Sequence, residues 1–437
     1  MLFLEYGADG YFFESAWRDR MVYMQKPDIV IIGAGLVGMS LTVALQNQGI
    51  RIAVLEHHLP QATLLTQKDT RPITLSLGSH QILQTLDVWD DLADEACPIS
   101  IVHVSEQGVL GAVHFRADEL RVPTLGYVVP FFRLQKILYQ RIVSQKDVEI
   151  ISINQIQHIQ CSNENVVVRY LTVHGEQELQ ANLLVGADGT KSTVRQSLNI
   201  PVKEENKNEI ALVALLKLER SHRFTAYERF TSQGTLAILP LLDHYYCRLV
   251  WTMSKIKGDE ITQWTDEKFR GVIQTIFGHF LGHIKSAIRG KKRYPLQLLL
   301  TKQQTRPHCV LIGNAAHTLY PFVAQGFNLG LRDVAVLSEM LTTARREKKS
   351  LGDAYLLQSY ERWRKTDQNW IAGLARGISE WFGLQLPLIN RLRGLALLTT
   401  ELLFPLKKHL AKSIMGLSGR LPKLVRGLRL DDHEKAI

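Results

Sequence analysis

The chain has 437 residues, 46 % of them hydrophobic and 8 % aromatic, with mean hydropathy near zero. That composition is globular and excludes long disorder, and the length exceeds one ordinary core, so about two domains are expected. The 52 Lys and Arg against 42 Asp and Glu give a net charge of +10, while Cys97, Cys161, Cys247 and Cys309 lack metal-ligand spacing and disulfide density. Reduced thiols in a cytoplasmic setting and no metal site are expected.

Residues 1–24 carry no cationic segment followed by an apolar stretch, and Glu5, Asp9, Glu14 and Asp19 argue against a transit peptide. They read as an extension outside the fold, as from an over-long translation start. An apolar run at 29–32 leads into Gly33-Ala34-Gly35-Leu36-Val37-Gly38, where a helical pattern opens at Leu36. This strand, turn and helix context makes a dinucleotide fingerprint of the glycines. Gly33 permits the tight turn, Gly35 lets the backbone approach a diphosphate, and Gly38 lets the helix pack close to the sheet. The helix start offers amides and dipole to the anion. A second strand at 51–55 ends at Glu56, placed to accept hydrogens from a ribose hydroxyl pair.

Further along, 79–86 and 134–144 read as helices, and 99–115, 148–159 and 166–173 as strands. The buried run Leu183-Leu184-Val185 enters Gly186-Ala187-Asp188-Gly189. Residues 205–300 read as a second strand-rich block, clearest at 235–240 and 245–253. A third glycine segment, Gly313-Asn314-Ala315-Ala316-His317 running on to Asp333, precedes a mostly helical remainder. Trp363, Trp370 and Trp381 fall in helical patterns and read as packing aromatics.

Positive charge concentrates at the end: residues 385–430 hold Arg391, Arg393, Lys407, Lys408, Lys412, Arg420, Lys423, Arg426 and Arg429 against Glu401 alone. The interleaved leucines are too interrupted for a spanning helix. Two readings stay open, amphipathic helices on an anionic membrane surface or a cap on the protein's own core with a solvated basic face. No recognised nucleic-acid motif accompanies the charge, so nucleic acid is not expected as a partner.

The segments Gly186–Arg195 and Gly313–His317, with Pro321, Gln325-Gly326-Phe327-Asn328-Leu329-Gly330 and Asp333, resemble the Asp-Gly and Gly-Asp motifs of the FAD-dependent aromatic hydroxylases, the single-component flavoprotein monooxygenases. Within that family, Val102-His103-Val104-Ser105, Glu228-Arg229-Phe230-Thr231, Leu249-Val250-Trp251, Asp266-Glu267-Lys268-Phe269 and Tyr294-Pro295-Leu296 are similar to the ubiquinone-biosynthesis hydroxylases acting on 2-polyprenyl-6-methoxyphenol. The resemblance covers residues 28–404. Asn314 departs from the wider family's Asp, and Ala324 stands where the family has Gly.

The resemblance implies an α/β fold: a Rossmann-like FAD-binding domain with a mixed, mainly parallel sheet, interrupted by an antiparallel-sheet substrate domain and followed by a helical C-terminal region. It divides the chain into 25–98, 129–204 and 301–382 for FAD, 99–128 and 205–300 for substrate, and 383–437 for the basic tail. FAD would contact Gly33, Gly35, Gly38, Glu56, Arg71, Arg133, Asp188, Gly189, Gly313, Asn314, Gln325, Gly326 and Asn328. Catalytic candidates are Gln325, Gly326, His317, Tyr320 and Pro321; backbone donors at Gln325 and Gly326 would stabilise the reduced flavin, and His317 and Tyr320 read equally as structural.

The implied reaction takes electrons from NAD(P)H, adds dioxygen at the flavin C4a and passes one oxygen to a prenylated phenol. Other ubiquinone-biosynthesis proteins and the inner face of the cytoplasmic membrane are the implied partners. A non-catalytic FAD-bearing component of that assembly, or a flavoenzyme acting on another phenol or isoprenoid lipid, remain as alternatives.

Overall fold

A computed structural model describes residues 26–59, 71–320, 325–383 and 387–432. The extension at 1–24, Pro321 and Ala324 lie outside the described residues. The organising layer is a six-stranded sheet ordered Thr305–Arg306, Cys309–Leu311, Leu183–Gly186, Ile29–Ile32, Ile52–Glu56, Val148–Ser152, parallel except for its first edge strand. Its central strands are short continuous apolar runs because both faces are covered. On one face, helices Leu36–Ala44, Phe131–Val143 and Gln325–Arg346 pack over Ile29, Ile31 and Val54. On the other, the antiparallel strands Gln155–Cys161, Val166–Thr172 and Gly175–Ala181 bury Ile159, Val168 and Tyr170 against Val30 and Leu55.

An eight-stranded sheet forms the second layer, built around the long antiparallel pair Val202–Leu218 and Ile284–Thr301 and extended through Tyr246–Ser254, Gly234–Pro240 and Thr225–Thr231 to Ile101–Glu106 and Ala112–Arg116. A small sheet of Pro72–Ser76, Gly126–Pro130 and Cys97–Ile99 lies between the two layers in the chain's course. The block read as strand-rich also contains two helices, Lys255–Thr262 and Asp266–Phe277, which differ from the sequence expectation. The second starts where Thr265 Oγ1 accepts the Lys268 amide at 3.1 Å, and it buries Phe269, Ile273, Ile276 and Phe277 against Trp251. Spacings of three and four residues place those side chains on one helical face.

The tail forms helices Pro387–Leu402 and Phe404–Ile414 and a short 3-10 turn, Lys423–Arg426. Leu397, Ala411 and Met415 join a core with Cys97 and Val128, while Leu424, Val425 and Leu430 enter the main core. Two of the basic residues point inward: Arg393 pairs with Glu106 at 2.8 Å, and Lys407 reaches Glu119 at 2.8 Å and Glu401 at 3.5 Å. The outer side carries Leu392, Leu395, Leu402 and Leu403, all at least half exposed. The tail is therefore a cap on the protein's own core, but its outer face is apolar as well as basic. Among the described residues, no helix is long and apolar enough to cross a membrane.

Candidate functional site

The parallel register sets Ile32 beside Gly186, and Gly186 beside Leu311, in one row across three adjacent strands. The three glycine segments that follow these residues therefore leave the same edge of the sheet, the carboxyl end where open α/β sheets bind ligands. The glycines divide into two kinds. At Gly33, with φ +107°, a Cβ would sit 2.5 Å from the Ala187 carbonyl oxygen, and at Gly38 it would sit 2.0 Å from that of Gly33. A Cβ at Gly330 would fall 2.7 Å from Val37, so the helices Leu36–Ala44 and Gln325–Arg346 touch there. Gly35, Gly189 and Gly326 instead have nothing within 4 Å of a Cβ among the described residues. The first set closes the fold, and the second leaves room against the backbone.

Among the described residues no side chain caps the helix that opens after Gly35, whose first intrahelical bond runs from the Met39 amide to the Gly35 carbonyl. The amides of Leu36, Val37 and Gly38 thus face the opening, a ready anion site. Glu56 stands beside them at its strand's end, accepting the amides of Ala34 at 2.6 Å and His58 at 2.9 Å. A carboxylate has about four acceptor positions, so roughly two remain for a ribose.

Asp333, fully buried, holds the third segment in place. One carboxylate oxygen accepts the Gly313 amide at 2.9 Å and His317 Nε2 at 2.5 Å; the other accepts Arg364 Nε at 2.7 Å and Gln368 Nε2 at 2.9 Å. Burial alone would raise this carboxyl, but His317 and Arg364 outweigh it and hold it far below the usual carboxylate range. Arg364 continues to Asp367 at 2.8 Å, Asp367 to Arg332 at 2.8 Å, and Arg332 to Gln325 at 3.2 Å. Sequence reading missed Arg332, Arg364, Asp367 and Gln368. The available signal was the stripe Leu357, Tyr360, Arg364, Gln368, Ile371 of helix Ala354–Gly383, in which an arginine and a glutamine occupy core positions.

The other candidates are placed unequally. Gln325 and Gly326 begin helix Gln325–Arg346, so their backbone amides are candidate donors, while the Gln325 side chain bonds the Ile414 carbonyl at 3.1 Å. Asn314 is exposed on its short turn. Arg71 lies over the rings of Phe131 at 4.4 Å and Tyr294 at 4.9 Å, bridging the two layers. Asp188 accepts the Val194 amide at 3.0 Å, so its carboxylate caps the helix after the Asp-Gly turn.

Several side chains are committed elsewhere. His317 is fully buried against Asp333, and Tyr320 is buried with Leu298, Leu319 and Leu329. Asn328 accepts the Ser76 amide at 2.8 Å and donates to the Thr74 carbonyl at 2.9 Å, stapling the helix to the strand that follows Arg71. Arg133 pairs with Glu95 at 2.5 Å and the Asp91 carbonyl at 3.2 Å.

This geometry separates ligand contacts from fold contacts by experiment. Gly35→Val should weaken FAD retention at least tenfold while leaving the melting temperature of the flavin-free protein unchanged, whereas Gly38→Val should lower both. Flavin absorbance after gel filtration and thermal melts provide the readout. Asp333→Asn, which removes the charge opposing Arg364 and His317, should destabilise the fold by about 3–5 kcal/mol in denaturant titrations. A change below ~1 kcal/mol would show that the hub is dispensable.

The chain matches the FAD binding domain family over residues 26–369. It is 30 % identical over 406 residues to the ubiquinone hydroxylase UbiL of Rhodospirillum rubrum, covering 92 % of this chain and 93 % of that one. It is 29 % identical to the 3-demethoxyubiquinol 3-hydroxylase of Escherichia coli, covering 90 % and 99 %. Among solved structures, p-nitrophenol 4-monooxygenase from Pseudomonas putida shares the fold with a TM-score of 0.73 at 16 % identity, covering 91 % and 100 %. The uncapped amides, the open glycine positions and Glu56 fit the adenosine diphosphate half of FAD. The chain belongs to the FAD binding domain family, in its branch of ubiquinone-biosynthesis hydroxylases.

Proposed function

We propose that this protein hydroxylates the aromatic ring of a prenylated phenol of the 2-polyprenyl-6-methoxyphenol type, with NAD(P)H and dioxygen as co-substrates. The observation that carries the reading is the row Ile32, Gly186, Leu311, which delivers three glycine segments to one sheet edge. Bound FAD supplies electron transfer from the nicotinamide and activation of dioxygen, chemistry no side chain offers. The chain's own part is placement. Amides of Leu36, Val37 and Gly38 bind the diphosphate, Glu56 reads the ribose, and Gly326 leaves the backbone open beside the ring. The first amides of helix Gln325–Arg346, with its dipole, stabilise negative charge there. His317 acts by fixing Asp333 rather than by meeting substrate.

A prenyl chain partitions into lipid, and the outward leucines of the tail support a route from a bilayer surface. Proteins of the same biosynthetic route are further candidate partners. Replacing Leu392, Leu395 and Leu402 together with serine should reduce co-sedimentation with anionic vesicles several-fold without changing flavin content. Equal sedimentation would remove the lipid route.

The reaction itself is tested by anaerobic reduction of the flavin with NADH or NADPH, with and without prenylphenols, followed by reaction with labelled dioxygen. Substrate should accelerate reduction and the product should carry one labelled oxygen. Donor oxidation yielding only hydrogen peroxide with every prenylphenol would overturn the reading.

A further inference from the structure

The two faces of the eight-stranded sheet are unlike. In strand Thr225–Thr231, Tyr227 points to the side where Leu236, Ile238, Leu249 and Trp251 pack under the two helices. Ala226 points to the opposite side, toward Cys97, Val128, Leu397 and Met415. Side chains alternate along a strand, so Glu228 shares the face of Ala226. Register sets Glu228 directly between Val104 and Ala237, and the row continues through Val250 to Val213. One carboxyl thus interrupts a row that is otherwise aliphatic.

That carboxyl is unlike the other charges on its face. Glu106, two residues beyond Val104, is neutralised by Arg393 at 2.8 Å. Arg248 lies half-buried two residues from Val250. Glu228 has neither a hydrogen-bond nor an ion-pair partner among the described residues, and burial pushes its carboxyl up to about 8. Its neighbours Val104, Ala237 and Val250 are only half-buried, although the tail and the small sheet cover the same face. Glu228 is itself half-buried, so this row is less tightly covered than the opposite face, where Leu236, Ile238, Leu249 and Trp251 are fully buried. An unpaired acid in such a wall destabilises the fold, and groups of this kind mark sites where a polar ligand atom arrives.

We propose that Glu228 receives the ring hydroxyl of the phenolic substrate, hydrogen-bonding it and taking its proton as the ring is attacked. The inference rests on the hydroxylase reading above. In the step, the phenol O–H bond breaks and the proton forms a bond to a carboxylate oxygen of Glu228. The electron pair stays on the phenolic oxygen and is shared with the carbons ortho and para to it, which makes them nucleophilic. A carboxyl that is partly ionised near neutral pH is suited to this transfer, being a stronger base than an ordinary surface glutamate. The aliphatic residues around it accept the ring's faces, leaving Glu228 to fix which edge of the ring turns inward.

The test uses the FAD-loaded, full-length protein and compares a prenylphenol with its O-methyl ether, following both by perturbation of the flavin spectrum. Wild type should bind the phenol at least tenfold more tightly than the ether. Glu228→Gln should keep its flavin and its affinity for the ether, lose that preference, and lower kcat for hydroxylation by about a hundredfold or more. Donor oxidation should then release peroxide. Glu228→Leu should behave likewise; should it fail to retain flavin, the isosteric Gln variant still decides. Hydroxylation and phenol preference at wild-type levels in Glu228→Gln would overturn the inference alone. A wild-type protein that neither binds nor hydroxylates any prenylphenol would overturn the hydroxylase reading with it.

Discussion

One buried carboxylate organises the ligand end of the molecule. Asp333 has no contact with solvent, yet it remains charged because four donors from two segments, the turn Gly313–His317 and helix Ala354–Gly383, converge on it. A buried ion survives only when such partners replace its hydration. The requirement runs both ways: Gly313, His317, Arg364 and Gln368 must occupy one geometry for the charge to be tolerated. The turn after Leu311, helix Gln325–Arg346 and helix Ala354–Gly383 are fixed relative to one another as a consequence. Asp367 and Arg332 pass the constraint on to Gln325, whose side chain ends on the carbonyl of Ile414 in the tail. The backbone beside the candidate flavin site is thereby tied to a segment about ninety residues away in sequence.

The glycines express the same division of labour in backbone form. Gly33, Gly38 and Gly330 are glycine because protein atoms already occupy the space of a Cβ. At Gly35 and Gly326, among the described residues, no atom occupies the space of a Cβ, and neither backbone is left-handed. Within a helix alanine is favoured over glycine by up to about 1 kcal/mol, so the open glycine at 326 is a local loss, whereas at the N-cap position of Gly35 glycine is itself acceptable. Occupied and open positions alternate within one short motif, so the motif encodes both the turn and the cradle.

This alternation explains what the sequence could disclose. The first strand, turn and helix, Glu56, and the entries to Gly186 and Gly313 are local patterns, and each is found where periodicity and turn chemistry put it. The roles of Asn328 and His317 were not local. Both lie inside recognisable motifs, but their partners, Thr74 and Ser76 for one and Asp333 for the other, are set by tertiary packing. Arg364 and Arg393 are invisible for the same reason: in sequence they are charges on amphipathic patterns, and only the facing acid makes an inward position tolerable. Helix Asp266–Phe277 is a different omission, since Thr265 and the Phe269, Ile273, Ile276 spacing announced it, and the flanking long strands obscured it.

The tail follows from the unequal faces of the eight-stranded sheet. One face is sealed by helices Lys255–Thr262 and Asp266–Phe277, while the other leaves Val104, Glu228, Ala237 and Val250 half-buried. Separate cover is needed, and helices Pro387–Leu402 and Phe404–Ile414 supply it through Leu397, Ala411 and Met415. Apolar contact alone would let such a cover slide. Arg393 on Glu106 and Lys407 on Glu119 oppose that, since any shift would strand a buried charge. Pairs of this kind add little net stability but give a cover one register, which holds its inner face against the sheet with Leu392, Leu395 and Leu402 turned outward.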